Sequence, residues 1–207
     1  MKKQFFLLLF MLAGISFSGA AQNIIGGAGL RTIVGNESWK TAIGAHLSCE
    51  PKIHHVGKGG FTAGIGATLQ GAKWDEGGDI GQGEGNYNIK GVTNLYYLII
   101  PLLYQHYLTS SLYAEGGLQP MLLLAAREKL DGGKFYNVKE YMNAFNLALI
   151  AGMVYRLQNG LGVGARFSYG MLGLYKNTDG KTDRTLLLTA MLSYQLSSLN
   201  LCRKEKK

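Results

Sequence analysis

The sequence predicts an all-β fold, an eight-stranded antiparallel up-and-down transmembrane β-barrel, and three observations carry that prediction. Apolar and polar residues alternate with period two along segment after segment, the pattern of strands that separate two environments. The connections between those segments alternate between tight turns and long loops, as in barrels of the outer membrane. Charged residues make up only 16% of the 207, against about 25% in soluble domains, so much of the surface is expected to face something other than water.

Residues 1–21 read as an export segment. Lys2 and Lys3 precede an apolar run from Phe5 to Phe17, and Ser18-Gly19-Ala20-Ala21 supplies small residues for cleavage before Gln22. The run is shorter than the ~20 residues a spanning helix needs. Residues 22–201 are expected to form the barrel and residues 202–207 a basic tail. The formal charge of +8, less the two leader lysines, is +6. Half of that lies in the tail at Arg203, Lys204, Lys206 and Lys207 against Glu205. A charge so local is no nucleic-acid footprint.

A first strand is expected around Ile24 to Val34, with Arg31 on its polar side. In the second, Trp39, Thr41, Ile43, Ala45 and Leu47 alternate with Lys40, Gly44, His46 and Glu50. The third sets Phe61, Ala63, Ile65, Ala67 and Leu69 against Thr62, Gly64, Gly66, Thr68 and Gln70. The fourth and fifth share an apolar face through Leu98, Ile100, Leu102, Tyr104, Leu108, Leu112, Ala114, Leu118, Leu122 and Leu124. Their other face holds Tyr113, Glu115, Gln119 and Arg127, with Gln105 opposite Glu115.

The sixth and seventh strands meet at Gln158-Asn159-Gly160, and parity selects the turn. A two-residue turn would set Leu157 against Gly162 and mix the faces. A three-residue turn sets Leu157 against Leu161, and puts Gly160 at the left-handed third position. The last strand alternates Leu186, Leu188, Ala190, Leu192, Tyr194 and Leu196 with Thr185, Thr189, Ser193 and Gln195. Three-residue turns follow strands four and six. Long connections follow strands three (Asp75 to Val92), five (Glu128 to Asn143) and seven (Lys176 to Asp183). The tight turns are assigned to the periplasm, where the connection Pro51 to Lys58 is longer than the pattern expects.

The continuous apolar face is expected to meet outer-membrane lipid. The other face would enclose a side-chain-filled lumen, with an inward polar network of Lys40, His46, Gln105, Glu115, Gln119, Arg127, Arg156 and Arg166. The glycine excess, 30 residues, falls largely on this inward face and makes room for those side chains. A soluble lipocalin-like carrier would reverse the two faces.

Several residues invite a chemical reading that their context removes. His54-His55 sits in a short turn, and the Asp75, Glu76, Asp79 and Glu84 spacing does not fit a calcium-binding loop. Gly81 to Gly85 lacks the strand-to-helix setting of a nucleotide loop. All four histidines map to the periplasmic half, away from the extracellular acids, so no base and nucleophile converge there. No catalytic, cofactor or metal site is expected. Cys49 and Cys202 would share the oxidising periplasmic end, with one strand between theirs. Phe135, Tyr136, Tyr141 and Tyr175, with Lys134, Lys139 and Lys176, are the candidate loop contacts for a protein partner.

Some of these segments also resemble a known family. Tyr97-Leu98-Ile99-Ile100-Pro101-Leu102-Leu103 is similar to a segment of PorT-like outer-membrane β-barrel proteins, common in Bacteroidetes-type bacteria, and Tyr113-Ala114-Glu115-Gly116-Gly117 resembles the strand after it. Asn159 to Gly170 resembles their penultimate hairpin. Ile99 stands where that family has an acidic residue and Gln105 where it has a basic one, so two inward charges are replaced together. The resemblance, over about Gly26 to Leu196, implies the fold and an outer-membrane location. It is shared by a secretion-linked component and by porin-family proteins. The expected function is therefore a non-enzymatic barrel that binds or anchors through its loops, with a narrow porin-like channel or a secretion-associated role as alternatives.

Overall fold

The computed structural model describes residues 22–35, 38–79, 86–176 and 182–196. The export segment 1–21, the tail 202–207 and Cys202 lie outside them. Twelve strands form one antiparallel sheet: β1 (Gln22–Val34), β2 (Trp39–Lys40), β3 (Ala42–Val56), β4 (Gly59–Ala63), β5 (Ile65–Asp79), β6 (Asn86–Ile99), β7 (Leu102–Tyr107), β8 (Leu112–Leu130), β9 (Phe135–Asn137), β10 (Phe145–Arg156), β11 (Leu161–Gly170) and β12 (Arg184–Gln195). One 3-10 turn, Lys139–Tyr141, follows β9. Pairing runs from β1 through β3, β5, β6, β8, β10, β11 and β12, and β12 pairs back with β1.

The strand count differs from the eight expected because three of the long segments are interrupted. Pro101 has no N–H to give the ladder, and it separates β6 from β7 where Gly64 separates β4 from β5. The Gly64 N–H donates to the Pro101 carbonyl at 2.9 Å across that break. The register is unchanged on either side, Ala63 opposite Leu102 and Gly66 opposite Ile99. Between β2 and β3 the register does shift: Lys40 opposes Lys73, while Ala45 opposes Leu69. One extra residue in the Lys40–Ala45 stretch is a β-bulge. The remaining addition is β9, a short strand added to β8.

Both tight turns follow the parity argument. The Leu157 N–H donates to the Leu161 carbonyl at 2.7 Å, and Gly160 has φ of 84°. The Leu108 N–H likewise donates to the Leu112 carbonyl at 2.9 Å. The expected connection Pro51 to Lys58 is mostly strand: β3 continues to Val56 past a bulge at Ile53, and the turn is Gly57-Lys58. The expected loop Asp75 to Val92 is also largely paired, out to Asp79 opposite Asn86.

Alternation sorts the side chains into a wall and a filling. Ile43, Leu47, Leu118, Leu149, Met153, Val163, Leu188 and Leu192 point out and are exposed. The filling has two levels. Nearer the long loops it is apolar: Leu95, Tyr97, Ile99, Leu103, Met121, Leu123 and Ile150 pack together, each at most 2% exposed. Val138 and Met142, flanking the 3-10 turn, and Leu174 complete this cluster from above. Nearer the tight turns buried polar and charged side chains pack beside a smaller apolar cluster of Ile25, Tyr113, Val154 and Met191.

Candidate functional site

The polar half of the lumen is organised by Arg166. Its Nε donates to Glu115 Oε1 at 2.7 Å. Nη1 and Nη2 donate to Glu50 Oε1 at 2.7 Å and Oε2 at 3.0 Å, a two-pronged pairing that suits the planar guanidinium. The three side chains are almost wholly buried. Ser48 Oγ donates to Glu50 Oε1 at 2.7 Å. His46 Nε2 lies 3.0 Å from Ser48 Oγ and 3.3 Å from Arg166 Nη1.

Cross-strand register puts this cluster together. Gln105, Glu115, Gly152, Arg166 and Thr189 occupy one row across five strands. Gly152 stands between Glu115 and Arg166. A Cβ there would come within 2.9 Å of Glu115 Oε1 and 3.1 Å of its Cγ, so only glycine lets the two charges meet across it.

Below the cluster the tight-turn mouth is filled by aromatic rings and cations. The Arg156 guanidinium lies 5.3 Å from the Tyr113 ring and 5.9 Å from the Tyr107 ring. Lys52 covers Tyr107 from 4.9 Å and donates to its hydroxyl.

Among the residues expected to line the lumen, His46, Glu115 and Arg166 are brought into direct contact. Gln105 and Gln119 are buried close by, at 0% and 1% exposure. Arg156 is half-buried at the mouth. Two expectations are corrected. The bulge after Lys40 turns Trp39 inward and Lys40 outward, where its Nζ meets Asp75 Oδ2 at 2.6 Å with the lysine side chain 60% exposed. Arg127 is also exposed on the outer wall. A bulge at Leu124, where Tyr96 opposes Ala125 but Tyr97 opposes Leu123, reverses the alternation above it.

Glu50 and Ser48 were missing from the expected network, although Glu50 lies on the face of His46. Arg31, placed on the polar side by sequence, is buried at 4% and donates to the Gln70 carbonyl and to Asn94 Oδ1.

Among the candidate loop contacts, Phe135, Tyr136 and Tyr141 are exposed, whereas Tyr175 is half-buried against the apolar cluster and bridges to Met142. The Tyr136 hydroxyl donates to Glu128 at 2.9 Å; burial and that carboxylate push its phenol above the usual range. Lys129 lies 5.8 Å from the Phe135 ring. Among the described residues no three His, Cys, Asp or Glu side chains gather as a metal site, and Cys49 is half-buried in β3.

A family model described as "Outer membrane protein beta-barrel domain" matches residues 11–175. Among solved structures, the fold is shared with Neisserial surface protein A, at 14% identity and a TM-score of 0.57, covering 86% of this chain and 100% of that one. The attachment invasion locus protein Ail of Yersinia pestis, bound to the heparin analogue sucrose octasulfate, is similar at 14% identity and a TM-score of 0.45, covering 85% and 100%. The outer membrane enzyme PagL is similar at 13% and 0.40, covering 83% and 98%. No curated protein sequence matches.

Proposed function

This chain belongs to the outer membrane protein beta-barrel domain family and resides in the bacterial outer membrane; from that premise we propose that it is a small, non-enzymatic barrel with a closed lumen that binds or anchors through its extracellular loops. The observation that carries the closed lumen is its two-level filling. Ions crossing it would have to displace a buried apolar cluster, none of whose members is more than 8% exposed, and then part a guanidinium held by two buried carboxylates.

The barrel crosses the membrane eight times in this reading. The unbroken register across Gly64 and Pro101 supports counting β4 with β5 and β6 with β7 as single crossings. β2 joins β3 through the bulge, and β9 lies outside the membrane. The tight turns face the periplasm, and the signal peptide is removed before insertion. Within the family, the Tyr97–Leu103 segment and the Asn159–Gly170 hairpin favour a PorT-like member.

Single-channel recording of the mature chain in planar bilayers tests the closed lumen. No reproducible conductance is expected; a steady unitary current would replace this reading with the narrow porin-like channel. A gel-mobility shift on boiling is expected of the folded barrel.

A further inference from the structure

We propose that the outer wall carries a binding site for the phosphate groups of an outer-leaflet lipid, built from Lys73, Lys90 and Lys129. Their strands lie side by side: Lys73 opposes Val92, which in turn opposes Lys129. Lys90 is two residues along β6 from Val92 and therefore on the same face. The three line a shallow concavity of about 260 Å³ with Val92 and Asp131, roomy enough for a phosphate group. Among the described residues none of the three forms an ion pair, and Asp75, which stands opposite Lys90, is already paired with Lys40. Arg127, exposed one row nearer the membrane, adds to the same field.

Height and sidedness choose the ligand. On the same strands and the same face, Leu69, Tyr96 and Leu98 make an apolar strip. The lysine row stands four residues above Leu69 and Tyr96, about 13 Å along the strand and less along the membrane normal once the strand tilts. That height is the headgroup layer, where basic side chains meet anionic lipid. The opposite wall, β10, β11, β12 and β1, presents one cation on its outward face among the described residues, Arg184, and its guanidinium donates to the Tyr169 hydroxyl at 3.1 Å. A general interfacial ring would be even around the barrel; this one is not. The site rests on the proposed orientation and is independent of what the loops bind.

The test uses the mature chain, purified in detergent, mixed with phosphatidic acid or phosphatidylcholine and read by native mass spectrometry. Retention of phosphatidic acid is expected to exceed that of phosphatidylcholine by on the order of a hundredfold, and to fall to the phosphatidylcholine level in the K73Q/K90Q/K129Q variant. The K58Q variant, at the opposite turn, should keep the preference. Each single glutamine variant should lose about fivefold, which keeps the test open should the triple variant fail to fold. Equal retention of both lipids by the unaltered protein, or full retention of the preference by the triple variant, overturns the site. Displacement of the lipid by millimolar inorganic phosphate overturns the lipid as ligand. Labelling of intact cells at F135C tests orientation separately: labelling without lipid preference removes the site alone, and absence of labelling removes its outer-leaflet placement.

Discussion

Replacing Arg166 by methionine removes one charge and strands two. Glu50 and Glu115 both have side chains with no solvent exposure, and Arg166 is the cation of both ion pairs. Methionine fills similar volume, so a cavity contributes little. Breaking a buried ion pair from one side costs about 3–5 kcal/mol, and here two carboxylates are left facing each other. The upper part of that range, about 5 kcal/mol, is expected. With a urea m-value of about 2 kcal/mol/M, the unfolding midpoint in lipid vesicles should fall by roughly 2.5 M, followed by tryptophan fluorescence. The triple variant R166M/E50Q/E115Q removes the stranded charges and should recover most of the loss, because neutral side chains of that size carry no ionic desolvation cost. A loss under about 1 kcal/mol in R166M, or no recovery in the triple variant, would refute the assignment of Arg166 as the partner of both carboxylates.

Three further outcomes follow from the same geometry. Gly152→Val should reduce the fraction of protein that shifts on boiling, because its side chain would enter the space of Glu115; Gly26→Ala, whose added carbon meets only Leu47 Cδ1 at 3.7 Å, should not. Lys40→Ala should change stability by at most about 0.5 kcal/mol by urea titration, as expected of an exposed pair; a loss of several kcal/mol would return Lys40 to the lumen. Tyr136 should ionise above an ordinary tyrosine in a spectrophotometric titration, as the difference between the protein and Tyr136→Phe. A phenol whose pKa is raised on folding stabilises the folded state below the unfolded value and loses that contribution as pH rises through the folded one. The Tyr136 contribution is thus fully present below a pH of about 10 and is lost above that value; ionisation below it would contradict the Glu128 contact.

Much of the barrel was legible because a strand in a two-sided wall repeats every two residues. The face of Glu115, Gln105 and Arg166 followed from counting, and so did the turn at Gly160, where only one loop length keeps Leu157 beside Leu161. Parity fails wherever one residue is inserted. Counting places Lys40 and Arg127 inward, and a bulge beside each sends it outward. Nothing in the residue types of Thr41 or Leu124 announces a bulge. Position in the sequence makes Tyr175 a loop residue, but the fold lays its segment across the apolar cluster.

Which residues alternate, which face is apolar and where the turns at Thr109–Ser111 and Gln158–Gly160 fall can be read from residue order, since these depend on neighbours within one strand or one hairpin. Which inward groups meet is set by how the strands close around one another. Glu50 and Arg166 are separated by 116 positions in sequence and joined at 2.7 Å. Their meeting depends on closure across several strands, on Gly152 leaving a gap between Arg166 and Glu115, and on a register that no single strand contains.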